Sequence, residues 1–502
     1  MLLLGIDLGT SSIKVSVVDA DTRKVVAATS YPSDTEREIQ SPRHGWAEQD
    51  PELWWSDVQN GIKAVIDGGG FDPLSIAAIG ITYQMHGLVL VDKAGKVLRP
   101  SIIWCDGRAT EVGSQARKKL SDSYLLTNML NFPGNFTASK LGWVKAHEPE
   151  IYHQSYKMML PGDFIAFKLS GKITASPSML SEGVFWDFKK EDISEALLEA
   201  MELDRDLLPA VQPVFSDHGR LNEATGEALG LKPGIPITYK AGDQPNNALS
   251  LGVLEPGEIA TTAGTSGVIY AVTDQRYFDP LSRVNTFAHV NHAKDHRRLG
   301  ILLCINGTGI SNRWIKQMAD PGLSYGQMDQ KALATAVGAD GLLFLPFGNG
   351  AERILCNHYL GAHLENIDFN THDRAHLYRA VHEGIAFSFR YGLDIMKEGG
   401  TQARVVKAGK ANMFLNQTFI QAFVNVTGLT LELYNTDGSI GAALGAGIGQ
   451  GYYDKPATAF EALEKLAVIE PDPALVAQYE TIYQQWKSLL DNKLEKNNII
   501  HS

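Results

Sequence analysis

The sequence predicts an α/β protein built from two domains of the same fold. Its 502 residues are more than one hydrophobic core usually supports. Strand patterns are followed by helical patterns and then by further strands, an order typical of α/β domains. A short internal similarity also relates residues 8–15, Leu-Gly-Thr-Ser-Ser-Ile-Lys-Val, to residues 263–270, Ala-Gly-Thr-Ser-Gly-Val-Ile-Tyr. Both are Gly-Thr-Ser turns between strand-like segments, so we expect a duplicated fold that is joined near residues 245–255.

The N-terminal segment predicts an antiparallel meander of three strands. Residues 2–6 form a continuous apolar run, and residues 9–12 supply a turn. Residues 13–17 then alternate between apolar and polar side chains, as a half-buried strand does. After a second turn at residues 19–24, residues 25–28 form a third strand pattern. Because tight turns join these strands, each should run antiparallel to the one before it.

Helical and strand patterns alternate after the meander. Residues 51–64 carry apolar side chains at helical spacing, with Asp50 as the expected N-cap and Pro51 at the first helical position. Residues 76–81 and 88–91 have the pattern of buried strands. This first half therefore reads as one complete α/β domain.

The second half contains a helical pattern at residues 374–397 and a Gly/Ala-rich segment at residues 438–449. From residue 474 onward the apolar side chains lie on one helical face, which comprises Leu475, Tyr479, Ile482, Tyr483, Trp486, Leu489 and Leu490. This amphipathic terminal helix is expected to pack on the core rather than to bind a membrane.

Composition excludes several classes of function. The formal net charge of −12 argues against a nucleic-acid partner, because a phosphate backbone requires a basic surface. The three cysteines are far apart and lack CxxC spacing, so they suggest neither a disulfide framework nor a zinc site. No apolar run is long enough to cross a bilayer, and the N-terminus lacks the basic region of a signal peptide. We expect a cytoplasmic protein without a membrane partner.

The first candidate site is the turn that follows Asp7. Successive N–H groups in a Gly-Thr-Ser turn form a concave anion site, to which Thr10 and Ser11 add hydroxyl donors. Asp7 at the end of the strand could hold Mg²⁺, often through water. A plain hairpin in which Asp7 accepts turn hydrogen bonds is the simpler explanation of this segment alone.

The second turn strengthens the phosphate interpretation. Gly264, Thr265 and Ser266 repeat the first turn, while Thr262 stands where Asp7 stood. Two such turns from two domains could bind one triphosphate between them. Only the first turn would have a carboxylate beside it, that of Asp7.

Asp243 is the candidate proton acceptor. A strand from residue 235 runs into Gly242, and Pro245 should open a helix, so Asp243 lies at a strand-to-helix junction. The alternative role is N-capping, which Asp performs well. The helix dipole would lower the pKa of Asp243 slightly. Phosphoryl transfer mainly needs an oriented nucleophile whose proton is accepted late, so both roles are compatible.

Two further segments suit a sugar. Gln84, Met85 and His86 follow a strand at residues 79–82. Farther along the chain, Trp104, Asp106 and Arg108 would share one face of an extended segment. An aromatic face with polar neighbours can stack on the C–H surface of a sugar and bind its hydroxyls. Taken singly, a structural histidine and a core tryptophan are the simpler explanations.

A glycine-containing turn at residues 407–412 precedes an apolar helix at residues 413–423. Gly409 in this turn could let the backbone approach an adenine. A P-loop pattern is absent, and the three glycines at residues 68–70 suggest a flexible turn.

Together these motifs resemble the FGGY carbohydrate kinases, most closely the members that act on xylulose. The resemblance spans roughly residues 3–450. It is carried by Gly-Ile-Asp-Leu-Gly-Thr-Ser at 5–11, Trp-Ala-Glu-Gln-Asp-Pro-Glu-Leu-Trp-Trp at 46–55, Gln-Met-His-Gly at 84–87, Trp-Cys-Asp-Gly-Arg at 104–108, Leu-Pro-Gly-Asp-Phe at 160–164, Gly-Asp-Gln at 242–244 and Gly-Thr-Ser-Gly at 264–267.

The resemblance implies two ribonuclease-H-like, actin-like domains with the active site in the cleft between them. Residues 1–247 would bind the sugar. Residues 248–502 would bind ATP and carry the terminal helix. The implied reaction is the ATP- and Mg²⁺-dependent phosphorylation of the terminal hydroxyl of a ketopentose, with D-xylulose as the expected sugar. Since many family members dimerise, the resemblance also implies a homodimer.

The resemblance also assigns roles to residues. Asp243 becomes the proton acceptor, and Asp7 with Asp243 the metal-side carboxylates. The sugar contacts would be Gln84, Met85, His86, Trp104, Asp106 and Arg108, and the nucleotide contacts Thr10, Ser11, Gly264, Thr265, Ser266, Gly409 and Asn412.

Two alternatives stay open at this point. The Gly-Asp-Gln at residues 242–244 is similar to that of glycerol kinases, so another ketose such as ribulose, or a polyol such as glycerol, could be the substrate. A nucleotide-binding sensor with the actin-like fold and no sugar site is the alternative outside the kinases.

Overall fold

The computed structural model describes residues 1–33 and 37–497. The strands are β1 (Leu2–Leu8), β2 (Ile13–Asp19), β3 (Val25–Tyr31), β4 (Glu48–Gln49), β5 (Ile76–Tyr83), β6 (Val89–Val91), β7 (Ser101–Ile102), β8 (Lys157–Met159), β9 (Thr174–Ala175), β10 (Trp186–Asp187), β11 (Asp192–Ile193), β12 (Ala210–Val211), β13 (Ile237–Gly242), β14 (Ile259–Ala263), β15 (Gly267–Thr273), β16 (Asn285–Ala288), β17 (Leu299–Ile305), β18 (Leu343–Phe347), β19 (Gly361–Glu365), β20 (Val405–Gly409), β21 (Thr430–Tyr434) and β22 (Lys465–Ile469).

The α-helices are α1 (Pro51–Asp67), α2 (Thr110–Leu120), α3 (Asp122–Tyr124), α4 (Thr137–His147), α5 (Pro149–Gln154), α6 (Pro161–Ser170), α7 (Pro177–Glu182), α8 (Glu195–Met201), α9 (Glu223–Leu229), α10 (Asp243–Ser250), α11 (Gly309–Ala319), α12 (Tyr325–Leu333), α13 (Arg374–Glu398), α14 (Gln417–Thr427), α15 (Gly438–Gly449) and α16 (Pro473–Lys496). None of the helices in the described residues has the length and apolar character needed to cross a bilayer.

The first large sheet has the strand order β3-β2-β1-β5-β13. Strands β1, β2 and β3 pair antiparallel, which confirms the predicted meander. Strands β5 and β13 then join parallel to β1. The carboxyl ends of β1, β5 and β13 therefore lie at one edge of this sheet, where the loops that follow them meet.

The second large sheet repeats this arrangement. Its order is β16-β17-β15-β14-β20-β21-β22. Strands β17, β15 and β14 pair antiparallel, and β20 and β21 join parallel to β14. The two Gly-Thr-Ser turns occupy equivalent positions, one between β1 and β2 and the other between β14 and β15. The predicted duplication, with two ribonuclease-H-like domains, is confirmed by this shared five-stranded order.

Helices α10 and α15 follow the last strand of each five-stranded unit and pack against one another. Helix α15 also packs on β1 and β5 of the first sheet. An added Cβ on Gly5 would lie 1.9 Å from the Ser439 carbonyl oxygen, and one on Gly80 would lie 1.9 Å from that of Ala442. The Gly/Ala-rich sequence of α15 and the strand glycines thus allow helix and sheet to approach closely.

The predicted junction between residues 247 and 248 lies inside α10. At the other end of the chain, α16 packs on the core of the second domain, as its apolar face predicted. Tyr479, Tyr483, Trp486 and Leu490 are buried there. The indole Nε1–H of Trp486 donates to the Phe344 carbonyl oxygen at 2.8 Å, so this large side chain is buried without an unsatisfied donor.

Candidate active site

Asp7 lies where the two domains meet. It is the penultimate residue of β1, and an added Cβ on Gly438 would lie 2.4 Å from its Oδ2 atom. Gly438 is the first residue of α15, which belongs to the second half of the chain. The edge of the first sheet and the N-terminus of this helix therefore face one another across the site.

The pKa of the Asp7 carboxyl is raised to about 7. Burial is the main cause, and the negative charges of Asp437 and Asp243 add to it, while Lys14 on the adjacent strand lowers it. Without a cation, Asp7 is thus close to half protonated at neutral pH. Its carboxyl lies where a positive charge would be stabilised.

The first Gly-Thr-Ser turn is held from its carbonyl side. The Arg37 guanidinium donates to the carbonyl oxygens of Gly9 and Thr10 at 3.0 and 3.3 Å, and the Gln49 side chain donates to that of Thr10 at 2.9 Å. In a trans peptide the N–H points away from the carbonyl oxygen. The N–H groups of Thr10 and Ser11 are therefore directed to the opposite side, as an anion-binding turn requires.

The second turn is built in the same way. The N–H groups of Gly309 and Ile310 at the start of α11 donate to the carbonyl oxygens of Gly264 and Thr265 at 2.9 and 3.2 Å. The next two N–H groups, those of Thr265 and Ser266, consequently point away from α11. The two turns share their geometry as well as their sequence.

Gly409 and Asn412 lie beside this second turn. Gly409 ends β20, which is the parallel neighbour of β14. The Asn412 side-chain amide would lie 3.6 Å from a Cβ on Gly264. The structure thus brings the predicted nucleotide residues of the second domain together at the carboxyl ends of β14 and β20.

Asp243 is the first residue of α10, and it does not cap that helix. Gly242 occupies the N-cap position, and no side chain caps the helix there. The capping interpretation of Asp243 is therefore wrong, because its side chain extends from the first turn instead of preceding it.

Burial raises the pKa of Asp243 to about 6, against smaller opposing effects of hydrogen bonds from Gln244 and the main chain. The expected lowering by the helix dipole is outweighed, so the shift has the opposite sign to the one predicted. At neutral pH Asp243 is mostly ionised but close to its pKa, which suits a proton acceptor.

Met85 and His86 lie next to Asp243. An added Cβ on Gly242 would lie 2.7 Å from the Met85 Cγ atom, so this side chain packs on the peptide that precedes Asp243. Strands β5 and β13 are parallel neighbours, and Met85 and Asp243 follow their carboxyl ends. Two motifs separated by more than 150 residues thus form one wall of the cleft.

His86 is held as a neutral ring with one free acceptor. Its Nδ1 atom lies 2.9 Å from the Glu182 carbonyl oxygen, which can only accept, so Nδ1 carries the proton. Burial lowers the pKa of His86 to about 3, and Lys140 and Arg353 lower it further. Its Nε2 atom is then an acceptor, and it has no hydrogen-bond partner among the residues that the structure describes.

Gln84 connects the sugar-side segment to the first turn. Its side-chain amide donates to Gln49 Oε1 at 2.9 Å, and its Oε1 atom accepts from the Thr10 hydroxyl at 3.3 Å. The Trp104 indole N–H donates to the same Thr10 oxygen at 3.0 Å. Gln84 is buried and already bonded on both ends, so it positions the turn and does not offer a free group to a ligand.

The predicted common face of Trp104, Asp106 and Arg108 is wrong. The Asp106 N–H donates to the Ile103 carbonyl oxygen at 3.2 Å, so the segment turns and is not extended. Trp104 is 45% exposed, whereas Asp106 is fully buried. Both Asp106 oxygens accept from the Arg108 side chain, which also pairs with Glu48 at 2.7 Å.

Arg108 stacks 3.8 Å above the Trp46 ring and is itself buried. Asp106 and Arg108 therefore form a charged pair inside the wall, whereas the Trp104 side chain faces solvent. A contact of the pair with a ligand would require that an existing bond be broken.

Sequence reasoning missed Lys14, Glu182, Arg353 and Asp437. Asp437 caps α15 by accepting the N–H groups of Ser439 and Ile440 at 2.9 and 3.1 Å. It follows β21 as Asp243 follows β13, so the internal repeat was the signal that could have found it. No motif indicated Glu182.

Comparisons with known proteins agree with this architecture. Residues 2–250 match the N-terminal domain, and residues 259–452 the C-terminal domain, of the FGGY family of carbohydrate kinases. The xylulose kinase of Escherichia coli (strain K12) is 31% identical over 459 residues, covering 89% of this chain and 88% of that protein. That of Bacillus subtilis (strain 168) is 28% identical and covers 100% and 99%.

Two solved structures share the fold. The xylulose kinase of Rhodospirillum rubrum has a TM-score of 0.88 at 24% identity, with 99% of each chain covered. The glycerol kinase of Plasmodium falciparum, solved with ADP, has a TM-score of 0.85 at 21% identity, with 98% of each chain covered. By the match of both domain models in order, the chain belongs to the FGGY family of carbohydrate kinases.

Proposed function

We propose that this protein transfers the γ-phosphate of ATP to the terminal hydroxyl of D-xylulose, forming D-xylulose 5-phosphate. The observation that carries the proposal is the position of Met85 and His86 beside Asp243, at the same sheet edge as Asp7 and the first Gly-Thr-Ser turn. The xylulose kinases among the relatives support this choice of sugar.

The sugar binds to the first domain. The Nε2 atom of His86 accepts a hydrogen bond from a sugar hydroxyl, because its neutral ring leaves that lone pair free. Met85 supplies an apolar contact next to Asp243, and the exposed Trp104 stacks on the C–H surface of the sugar. Asp106 and Arg108 support this wall from inside, and Gln84 supports it from the side of the turn.

ATP binds to the second domain. The N–H groups of Thr265 and Ser266 bind phosphate oxygens from one side, and those of Thr10 and Ser11 bind the γ-phosphate from the other. Gly264, Gly409 and Asn412 line the path toward the adenosine, since they lie together at the carboxyl ends of β14 and β20. Lys14, which is exposed and adjacent to Asp7, contributes the cationic charge on this side.

The residues at Asp7 suit a magnesium ion. Carboxylate oxygens are the protein ligands that Mg²⁺ prefers, and Asp7 has two carboxyl neighbours, Asp243 and Asp437. Among the described residues, no three His, Cys, Asp or Glu side chains form a direct metal cage. Asp7, with Asp243 on its other side, would thus hold the ion largely through water. When bound, the ion supplies positive charge to the phosphates.

Asp243 performs the proton transfer. Its carboxylate orients the terminal hydroxyl of the sugar toward the γ-phosphate and accepts the proton as the new O–P bond forms. The N–H groups of both turns stabilise the charge of the transferring phosphoryl group. Closure of the two domains excludes water, which would otherwise compete for the phosphate.

The pH dependence of the reaction follows from Asp243. Because its pKa is raised to about 6, the base is protonated below that pH and active above it. With saturating Mg²⁺, we expect kcat/KM for the sugar to fall about tenfold for each pH unit below about 6. Initial rates between pH 4.5 and 8, roughly the range in which small domains stay folded, would measure this limb. A flat profile through pH 6 would contradict the assignment of Asp243 as the base.

The substrate is tested by ADP release over a panel of ketopentoses, ketohexoses, polyols and glycerol. We expect D-xylulose to give the highest kcat/KM, with the phosphate on O5 of the product as seen by ³¹P NMR. Preference for glycerol or ribulose would replace the sugar assignment. ADP release that no sugar accelerates would favour the actin-like nucleotide sensor.

The division of the chain at residue 247, the homodimer and the cytoplasmic location stay predictions. Light scattering of the purified protein would determine its oligomeric state.

A further inference from the structure

The Glu182 side chain is a buried carboxyl group that neither the motifs nor the proposed roles explain. It ends α7 and is 1% exposed. One of its oxygens, Oε1, accepts the His86 N–H at 3.2 Å. The other, Oε2, is also buried, and the Tyr83 hydroxyl faces the carboxyl group. Burying a carboxyl group costs free energy, so its place next to the active site calls for a functional reason.

Glu182 holds His86 at two points. Its side chain accepts the His86 N–H, and its main-chain carbonyl accepts from the ring Nδ1 atom. His86 has a φ of 63°, in the left-handed region that residues other than glycine rarely adopt. The His86 carbonyl oxygen accepts from Lys140 Nζ at 2.8 Å and Thr137 Oγ1 at 3.1 Å. Such a conformation persists only when its surroundings impose it, and Glu182 supplies two of these four contacts.

The second oxygen of Glu182 lies against the peptide that precedes Asp243. An added Cβ on Gly242 would lie 2.4 Å from Oε2, closer than any non-bonded contact allows. A side chain at residue 242 would therefore displace the Glu182 carboxyl. One carboxyl group thus contacts the main chain of the sugar-binding histidine and the main chain before the base.

We propose that Glu182 is a positioning residue for phosphoryl transfer, whose carboxyl group fixes His86 and the Gly242–Asp243 peptide relative to one another. The inference rests on the proposed function, in which His86 binds the sugar and Asp243 takes its proton. A rigid connection between the two keeps the hydroxyl of the bound sugar within reach of the base. Because Ser181, its neighbour on α7, accepts the Ala288 N–H at 2.9 Å, the same helix is also anchored to the second domain.

The charges around Glu182 support a neutral carboxyl group. Burial raises its pKa well above the usual range, and the negative charges of Asp243 and Asp163 raise it further, while hydrogen bonds with the His86 N–H and the Tyr83 hydroxyl oppose them. The other ionisable groups that face it are the Tyr83 and Tyr270 hydroxyls and the Lys140 ammonium group. Burial and these charges favour the protonated form of Glu182, so the two neighbouring acids divide into a support that favours its neutral form and a base.

Two substitutions separate positioning from general stability. Glu182→Leu removes both oxygens at similar volume, whereas Glu182→Gln keeps an acceptor for the His86 N–H and stays neutral. We expect Glu182→Leu to lower kcat/KM for the sugar about 100-fold, with KM for ATP changed less than about twofold. Glu182→Gln should recover activity to within about fivefold of the original protein.

Glu383→Gln is the matched control. Glu383 is also a buried glutamate with a raised pKa, but it lies on α13 and pairs with Arg379 in the core of the second domain. The Glu383→Gln substitution should lower the Tm and leave KM for the sugar unchanged. If Glu182→Leu does not fold, Glu182→Asp replaces it, since its shorter side chain cannot reach both main-chain segments and should be impaired while Glu182→Gln is active.

The outcomes that would overturn the inference are specific. A Glu182→Leu protein with the kinetic constants of the original, or a Glu182→Gln protein as impaired as Glu182→Leu, would show that the carboxyl group does not position the site. Equal activities of Glu182→Asp and Glu182→Gln would also show that the carboxyl group does not position the site. If the unsubstituted protein has no ketose kinase activity, that result would instead contradict the proposed function. Ketose kinase activity that Asp243→Asn abolishes and Glu182→Leu preserves would contradict the inference alone.

Discussion

Asp243→Asn is expected to lower kcat for sugar phosphorylation by about 10³–10⁴-fold while ATP still binds. The amide has the shape of the carboxylate and can still contact the hydroxyl, but it cannot take up the proton. Asp243→Ala, which also removes the orienting contact, should be at least as inactive. The proposed nucleotide residues follow other strands, namely β1, β14 and β20, so the Kd for ATP should change less than about twofold.

The measurement combines single-turnover kinetics with equilibrium binding of ATP and of the sugar. Asp472→Asn is the matched control, because Asp472 is a true N-cap, that of α16, whose side chain accepts the Ala474 N–H at 2.8 Å. It should cost about 1 kcal/mol of stability or less and leave kcat unchanged. Near-normal turnover in Asp243→Asn would remove Asp243 from the mechanism.

The duplicated fold could be predicted because its clearest signals are local. Each Gly-Thr-Ser turn is a short segment between two strand patterns, and the two turns resemble each other in sequence. The repeat extends further than the sequence indicated. Gly242 ends β13 and Asp243 begins α10, while Asp437-Gly438 lies at the start of α15 after β21, with Asp and Gly in opposite order. The shared strand order shows that these two helix starts are equivalent.

The segment from Trp104 to Arg108 shows what local pattern cannot predict. Its alternation suggested an extended strand with one polar face. The observed turn depends on partners far away in the chain, since Asp106 binds the Ala47 N–H and Arg108 binds Glu48. These contacts bury the charges that the pattern had assigned to the ligand. Long-range partners of this kind leave no periodic signal.

The pKa values of the site residues also could not be predicted from the local sequence. The position of Asp243 at a helix start was predicted, and its dipole alone would lower the pKa. Burial by packed neighbours raises it to about 6, and how deeply a side chain is buried follows only from the tertiary structure. Glu182 was missed for the same reason, because 96 residues separate it from His86 and no motif contains it.

Asp7→Asn should abolish most activity and yet stabilise the protein without metal. The pKa of Asp7 is raised from 3.8 to about 7, so between these pH values the folded state holds a proton that the unfolded state has lost. Stability that is present below pH 4 is therefore lost as the pH rises through 7. Asparagine does not titrate, so the Tm at pH 8 should rise by roughly 2–4 °C, the shift that about 1 kcal/mol causes in a domain of this size.

The same change removes the ligand that the proposed magnesium ion requires. We expect kcat to fall by about 10²–10³-fold at saturating ATP, because the charge on the transferring phosphate is no longer balanced. Calorimetric scans at pH 5 and pH 8, about two units below and one unit above the folded-state pKa, should show a gain in Tm that is larger at the higher pH. Adding Mg²⁺ with ADP should raise the Tm of the original protein and leave that of Asp7→Asn almost unchanged.

These two readouts distinguish a metal-side carboxylate from a structural one. A structural Asp7 would stabilise the fold, so its replacement would lower the Tm at every pH and would reduce activity only as far as it unfolds the protein. A metal-binding Asp7 destabilises the metal-free fold, because it lies near the like-charged Asp437 and Asp243 and no cation balances their charges. Its replacement therefore raises the Tm of the metal-free protein. A lower Tm for Asp7→Asn at pH 8, or an unchanged response to Mg²⁺, would therefore place the metal elsewhere in the cleft.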